Sequence, residues 1–86
     1  IKYKMKILAT YYDSTDETNY GTFDISALPP IGSTTFIYEH KESRKFIGHF
    51  KVVDIHHSIT EFYKKETNYK IGDTSDSFEI HVIKID

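Results

Sequence analysis

Between Leu28 and His57 the sequence reads LPPIGSTTFIYEHKESRKFIGHFKVVDIHH, and this stretch restricts the fold more than any other. Pro29 and Pro30 fix the backbone, and Gly32 accepts the positive φ that a tight turn needs. Residues 34–40, TTFIYEH, are β-branched and aromatic and read as a strand. A charged tip, KESR at 41–44, returns the chain along a longer strand over 45–57. The unit is a β-hairpin, and its apolar face must be buried against other elements. Along 45–57 the apolar phase changes. Phe46, Gly48, Phe50 and Val52 share one parity, then Val53, Ile55 and His57 share the other. A β-bulge near Val52–Val53 accounts for the change, and such bulges supply the bending that small barrels need.

The flanking segments extend this reading. Residues 1–12 alternate, with Ile1, Tyr3, Met5, Ile7, Ala9 and Tyr11 on one face and Lys2, Lys4 and Lys6 on the other. That is a half-buried strand, and the alternation includes residues 1–4. Residues 13–24 are polar and acidic and read as a loop, with a single helical turn over 24–28 that Pro29 stops. Residues 58–77 admit two readings. Ile59, Phe62 and Tyr63 have helical spacing, whereas Phe62-Tyr63 and Tyr69-x-Ile71 suit a ragged hairpin. Residues 78–85 form the last strand, with a phase change after Val82. The expected fold is therefore all-β with at most one short helix. It is a small antiparallel curved sheet or partly open β-barrel of four to six strands, one domain over residues 1–86.

Composition fits a modest core. Seven Tyr and six Phe offset the scarcity of Leu and Ala. Eleven basic against thirteen acidic residues give a net charge of −2, which argues against a phosphate-binding surface over the whole molecule. There is no cysteine, so neither a disulfide nor a thiolate metal site is available. No apolar run approaches the ~18 residues of a membrane span, and the first residues lack a signal peptide's apolar stretch. A cytoplasmic protein with no membrane contact is the expectation.

Catalytic motifs are missing. No Ser lies in a Gly-x-Ser-x-Gly elbow, and the acidic residues cluster in segments read as loops. Asp13 to Asp24 spaces oxygen side chains like a calcium loop, but Thr18 stands where that loop needs glycine. His49, His56, His57 and His81 fall on expected strands and His40 ends one. Adjacent His56 and His57 point to opposite faces, so no metal ligand set and no cofactor is named. A His-based metal-binding protein ranks third among the functional readings.

A non-enzymatic binding protein is the leading reading, a small inhibitor or accessory subunit. Its partner would be another protein or a second copy of the chain, engaged through a strand edge or through surplus tyrosines. The candidate contact residues are Tyr11, Tyr12, Tyr20, Phe62, Tyr63 and Tyr69. The alternative is single-stranded nucleic-acid binding, with aromatic rings beside basic groups. Its residues are Tyr38, Arg44, Lys45 and Lys51 on the hairpin, with Phe46 beside them, and Lys64 and Lys65 further on.

The run Leu28-Pro-Pro-Ile-Gly32, followed by Gly48-x-Phe50-x-Val52-x-x-Ile55-x-His57, resembles small bacterial and phage β-barrel proteins of unassigned activity. The resemblance covers about a third of the chain and implies a barrel-like fold and a bacterial or phage origin. It carries no site residues. Ser33 stands where an acidic residue is common in that pattern, and the 58–77 segment is longer than the usual return.

Overall fold

In the computed structural model, which describes residues 6–63 and 70–85, the chain forms one five-stranded sheet. The strands are β1 (Ile7–Asp13), β2 (Asn19–Ile25), β3 (Thr34–His40), β4 (Arg44–Glu61) and β5 (Thr74–Lys84). Their spatial order is β2-β1-β5-β4-β3. The described residues include no helix, neither at 24–28 nor in the described part of 58–77. None of them forms a helix long and apolar enough to cross a membrane. The first five residues of the expected opening strand lie outside the described residues.

Three ladders are antiparallel, but β1 pairs with β5 in parallel, so the sheet is mixed. The reason is geometric. Five strands that reverse direction at every turn leave the first and fifth running the same way. In the segment expected to be a loop over 13–24, residues 14–18 form the turn and the second half belongs to β2. Its strand signal is thin, because only Phe23 and Ile25 carry apolar alternation among turn-forming residues.

The core lies on one face of the sheet. Ala9 and Tyr11 (β1), Ile37 (β3), Phe50 and Val52 (β4), and Ile80 and Val82 (β5) are buried there. The bulge expected near Val52–Val53 is present, since the β4–β5 register shifts between Val52 and Asp54. It keeps Ile55 facing inwards after Val52. A second bulge was not expected. Ile37 pairs with Gly48 and Tyr38 with Phe46, so Ile47 is the extra residue. Ile47 packs on the core and Phe46 turns out, contrary to the parity that grouped Phe46 with Phe50. A third irregularity, between Tyr11 and Tyr12, leaves Tyr20 without a partner in β1. The β5 strand keeps one phase, and Ile83 and Ile85 are exposed rather than re-aimed. Three bulges and the natural twist curl the sheet until its two edges face each other.

Asp13 anchors the β1–β2 turn. Its Oδ1 accepts hydrogen bonds from the Thr15 hydroxyl, the Thr15 amide and the Asp16 amide, and its Oδ2 accepts one from the Tyr20 hydroxyl. The Thr15 hydroxyl, followed by the Thr15 amide and Tyr20, holds the carboxyl down at about 2. Burial, followed by the bond to Asp13, pushes the Tyr20 phenol up to about 12. An unfolded aspartate titrates near about 4. The stabilisation from Asp13 is therefore full above that pH and is lost as pH falls from about 4 to about 2. That from Tyr20 is full below the unfolded tyrosine value of about 10 and is lost as pH rises towards about 12. In Asp13→Asn the acid limb should flatten, which denaturant midpoints measured across pH 2–5 would show. An acid limb unchanged in the variant would contradict this account.

Candidate functional site

The sheet does not close. β2 and β3 are its two edges, and no Cα of one comes within 8 Å of a Cα of the other. Paired strands lie about 4.8 Å apart, so a gap that would admit one further strand is about 9.6 Å. The gap has an apolar floor. Tyr11, Phe23, Ile25, Thr35, Ile37 and Tyr38 line a cavity of about 260 Å³ together with Phe36. A second cavity of about 220 Å³ shares Phe23, Ile37 and Tyr38 and continues towards Gly21 and Glu39. The two form one groove along both edges. Ile25 lies at the Thr35 end and Gly21 at the Glu39 end, so the edges run antiparallel to each other. Neither β2 nor β3 contains a lysine, arginine or proline, the residues that commonly guard an exposed edge.

Tyr11 sets the floor. It is only 5% exposed, and its ring meets Phe23 edge-on at 5.8 Å. Its hydroxyl is hydrogen-bonded to the Thr35 side chain beneath the gap. Burial raises the phenol's pKa, and the bond to Thr35 opposes that rise.

Beside the groove the outer face of the β3–β4 hairpin carries aromatic rings. Phe36, Tyr38 and Phe46 are each between 41% and 56% exposed. Tyr38 and Phe46 have ring centroids 5.5 Å apart, and Phe36 and Phe46 6.3 Å. The Arg44 guanidinium lies 3.8 Å over the Tyr38 ring, a cation–π contact. His49 stacks on Phe36 at 4.0 Å, and its buried Nε2 has no hydrogen-bond partner among the described residues.

The outer face of β4 and β5 holds a second cluster. The Val52–Asp54 bulge places Asp54 opposite His81 and His56 opposite Glu79. His56 Nε2 lies 2.9 Å from Asp54 Oδ2, and His81 Nε2 lies 3.3 Å from Glu79 Oε1. The two imidazole centroids are 4.4 Å apart, and Tyr12 stacks on His81 from β1. The hydrogen bond with His56, then the Ile55 amide, lowers the Asp54 pKa.

The six tyrosine and phenylalanine positions expected at a contact surface do not form one patch. Tyr11 lies in the core. Tyr12 is on the opposite face of β1, packed on His81. Tyr20 is half-buried, with its ring 4.6 Å from Phe50. Phe62 is half-buried and Tyr63 is 77% exposed, both just beyond β4 where the β4–β5 hairpin turns. Glu61 accepts a hydrogen bond from Tyr63 and raises its pKa. Tyr69, Lys64 and Lys65 lie outside the described residues. Of the hairpin set, Tyr38, Phe46 and Arg44 converge, Lys45 is next to them opposite Glu39, and Lys51 is opposite Thr34 at the other end of β3. Phe23, Ile25 and Phe36 were not singled out from the sequence. The available signal was β3 itself, where Phe36, Ile37 and Tyr38 make both faces apolar, a pattern of a strand covered on two sides. No protein-family model, no curated protein and no solved structure matches this chain.

Proposed function

We propose that the chain is a non-enzymatic protein-binding module whose β2–β3 groove takes up one extended segment of a partner protein and completes the sheet. The observation that carries this reading is the apolar groove between the two unpaired edges. Two sheet edges that pair with no strand face each other more than 8 Å apart at every Cα, with an apolar floor between them. Because the two edges are antiparallel, the incoming strand runs antiparallel to one and parallel to the other. Every second side chain would meet Tyr11, Phe23 and Ile37. An apolar alternating segment is the matching ligand. The lack of cysteine suits a reducing, cytoplasmic setting. A bacterial or phage inhibitor or accessory subunit, the class the Leu28–Gly32 turn suggests, fits the same proposal.

Linear peptides selected from a displayed random library test it. Bound peptides should alternate apolar residues and slow amide exchange in residues 19–25 and 34–40. Selection of no peptide, or protection confined to other strands, would sink the reading. The second reading is single-stranded nucleic acid on the Phe36–Tyr38–Phe46 surface, favoured by Arg44 over Tyr38. A homopolymeric oligodeoxynucleotide should then bind at low salt and release steeply as salt rises.

A further inference from the structure

We propose that Asp54, His56, Glu79 and His81 form a binding site for a divalent transition-metal ion of the zinc class, on the sheet face opposite the groove. One ligand atom each from His56, Glu79 and His81 already lies within 4.8 Å of the others. A Zn²⁺ ion bonded at about 2.0–2.1 Å to tetrahedral ligands holds their donor atoms about 3.3 Å apart. His81 Nε2 and Glu79 Oε1 are at that separation, 3.3 Å. His56 supplies the third donor of the group, and Asp54 Oδ2, 2.9 Å from His56 Nε2, stands beside that group as the candidate fourth donor. A metal ion would replace the protons now shared between each imidazole and its carboxylate.

The backbone sets the arrangement. In each strand the donors are two residues apart, Asp54 and His56 on β4, Glu79 and His81 on β5, so each pair faces the same side. The ladder places the pairs directly opposite each other, which makes a two-by-two square. The square exists because of the bulge after Val52. Without the extra residue, His56 would move to the inner face and His57 to the outer. Bulges commonly re-aim side chains beside functional sites. Tyr12 packs on His81, and the His81 side chain is only 19% exposed, so one ligand is held while the others can adjust.

Donor chemistry selects the ion. Two imidazoles and two carboxylates suit zinc and its first-row neighbours, whereas calcium and magnesium prefer oxygen throughout. The alternative is a pair of histidine–carboxylate contacts at the surface, one exposed and one part-buried, each contributing little to stability. That alternative binds no metal.

Untagged full-length protein, stripped with chelator and titrated with zinc alone, should take up one ion per chain and gain thermal stability. Cobalt(II) should show the visible bands of a tetrahedral site. Glu79→Gln should weaken zinc binding by more than about tenfold, at least the loss that follows removal of an outer-shell partner. The double variant His56→Gln/His81→Gln should abolish it, and His40→Ala, at the remote end of β3, should leave it unchanged. Histidine side-chain nitrogen spectra should move for His56 and His81 and stay fixed for His57, which faces the other way against Phe78 and Asp76. Absence of uptake, or uptake that survives the double substitution, overturns the proposal. If the double variant does not fold, Glu79→Gln and the nitrogen spectra decide by the same criteria. Peptide binding in the groove is read separately, so either proposal can fail without the other.

Discussion

Phe50→Ala is expected to lower stability by about 3–5 kcal/mol, the cost of deleting a fully buried aromatic ring. Phe50 is 0% exposed and is the largest of the side chains buried so completely. Its ring lies over Gly48 two residues earlier, where an added Cβ would stand 2.6 Å from the ring's Cζ. It also meets the Tyr20 ring, so it joins β4 to the bulged residue of β2. The hollow left by alanine would be bounded by a glycine, which has no side chain to swing in. Little collapse is available, and the cost should fall in the upper part of the range. A domain of this size has roughly 4–13 kcal/mol in total at 0.05–0.15 kcal/mol per residue, so the variant loses much of its margin. Guanidinium titration should show a lower midpoint with an unchanged slope. Phe46→Ala, on the exposed hairpin face, should cost less than about 1 kcal/mol. Near-equal losses for the two variants would mean that the Ile47 bulge is misplaced.

That contrast shows where the fold was legible in the sequence and where it was not. The bulge after Val52 announces itself because apolar residues change parity against polar neighbours, Lys51 before and Asp54 after. The bulge at Ile47 is silent, because Phe46 and Ile47 are both apolar and either could face inwards. Strand β3 is plain from its composition. β2 is hidden, since Asn19, Gly21, Thr22 and Asp24 are the residues of turns, and only its pairing with β1 makes it a strand. The groove is less legible still. It arises from the curvature of the whole sheet, and its floor draws Tyr11, Phe23 and Ile37 from three strands. For the histidines, strand alternation correctly separates His56 from His57. Which carboxylate stands opposite His56 depends on the β4–β5 register, and the local pattern does not contain it.

Gly21→Ala ties the hidden strand to the groove. Gly21 has φ +127°, where side chains with a Cβ are strained, at a cost of about 1–3 kcal/mol. An added Cβ would also stand 2.8 Å from Cζ of Phe23. Unlike Phe50, Phe23 is only half-buried and borders the groove, so its ring can move there. The clash is thereby partly relieved, and the total should be about 2–4 kcal/mol, most of it backbone strain. Phe23→Leu separates the two causes. In that background Gly21→Ala should still cost about 1–3 kcal/mol, the strain alone. The displaced ring also has a functional consequence. It occupies the floor that an incoming strand needs, so Gly21→Ala should weaken peptide binding even at temperatures where it is fully folded. Phe23→Leu should restore part of that affinity by shortening the obstructing side chain. A neutral Gly21→Ala would show that β2 does not hold this backbone. A destabilised variant that binds peptide with full affinity would separate Phe23 from the groove and place the partner elsewhere.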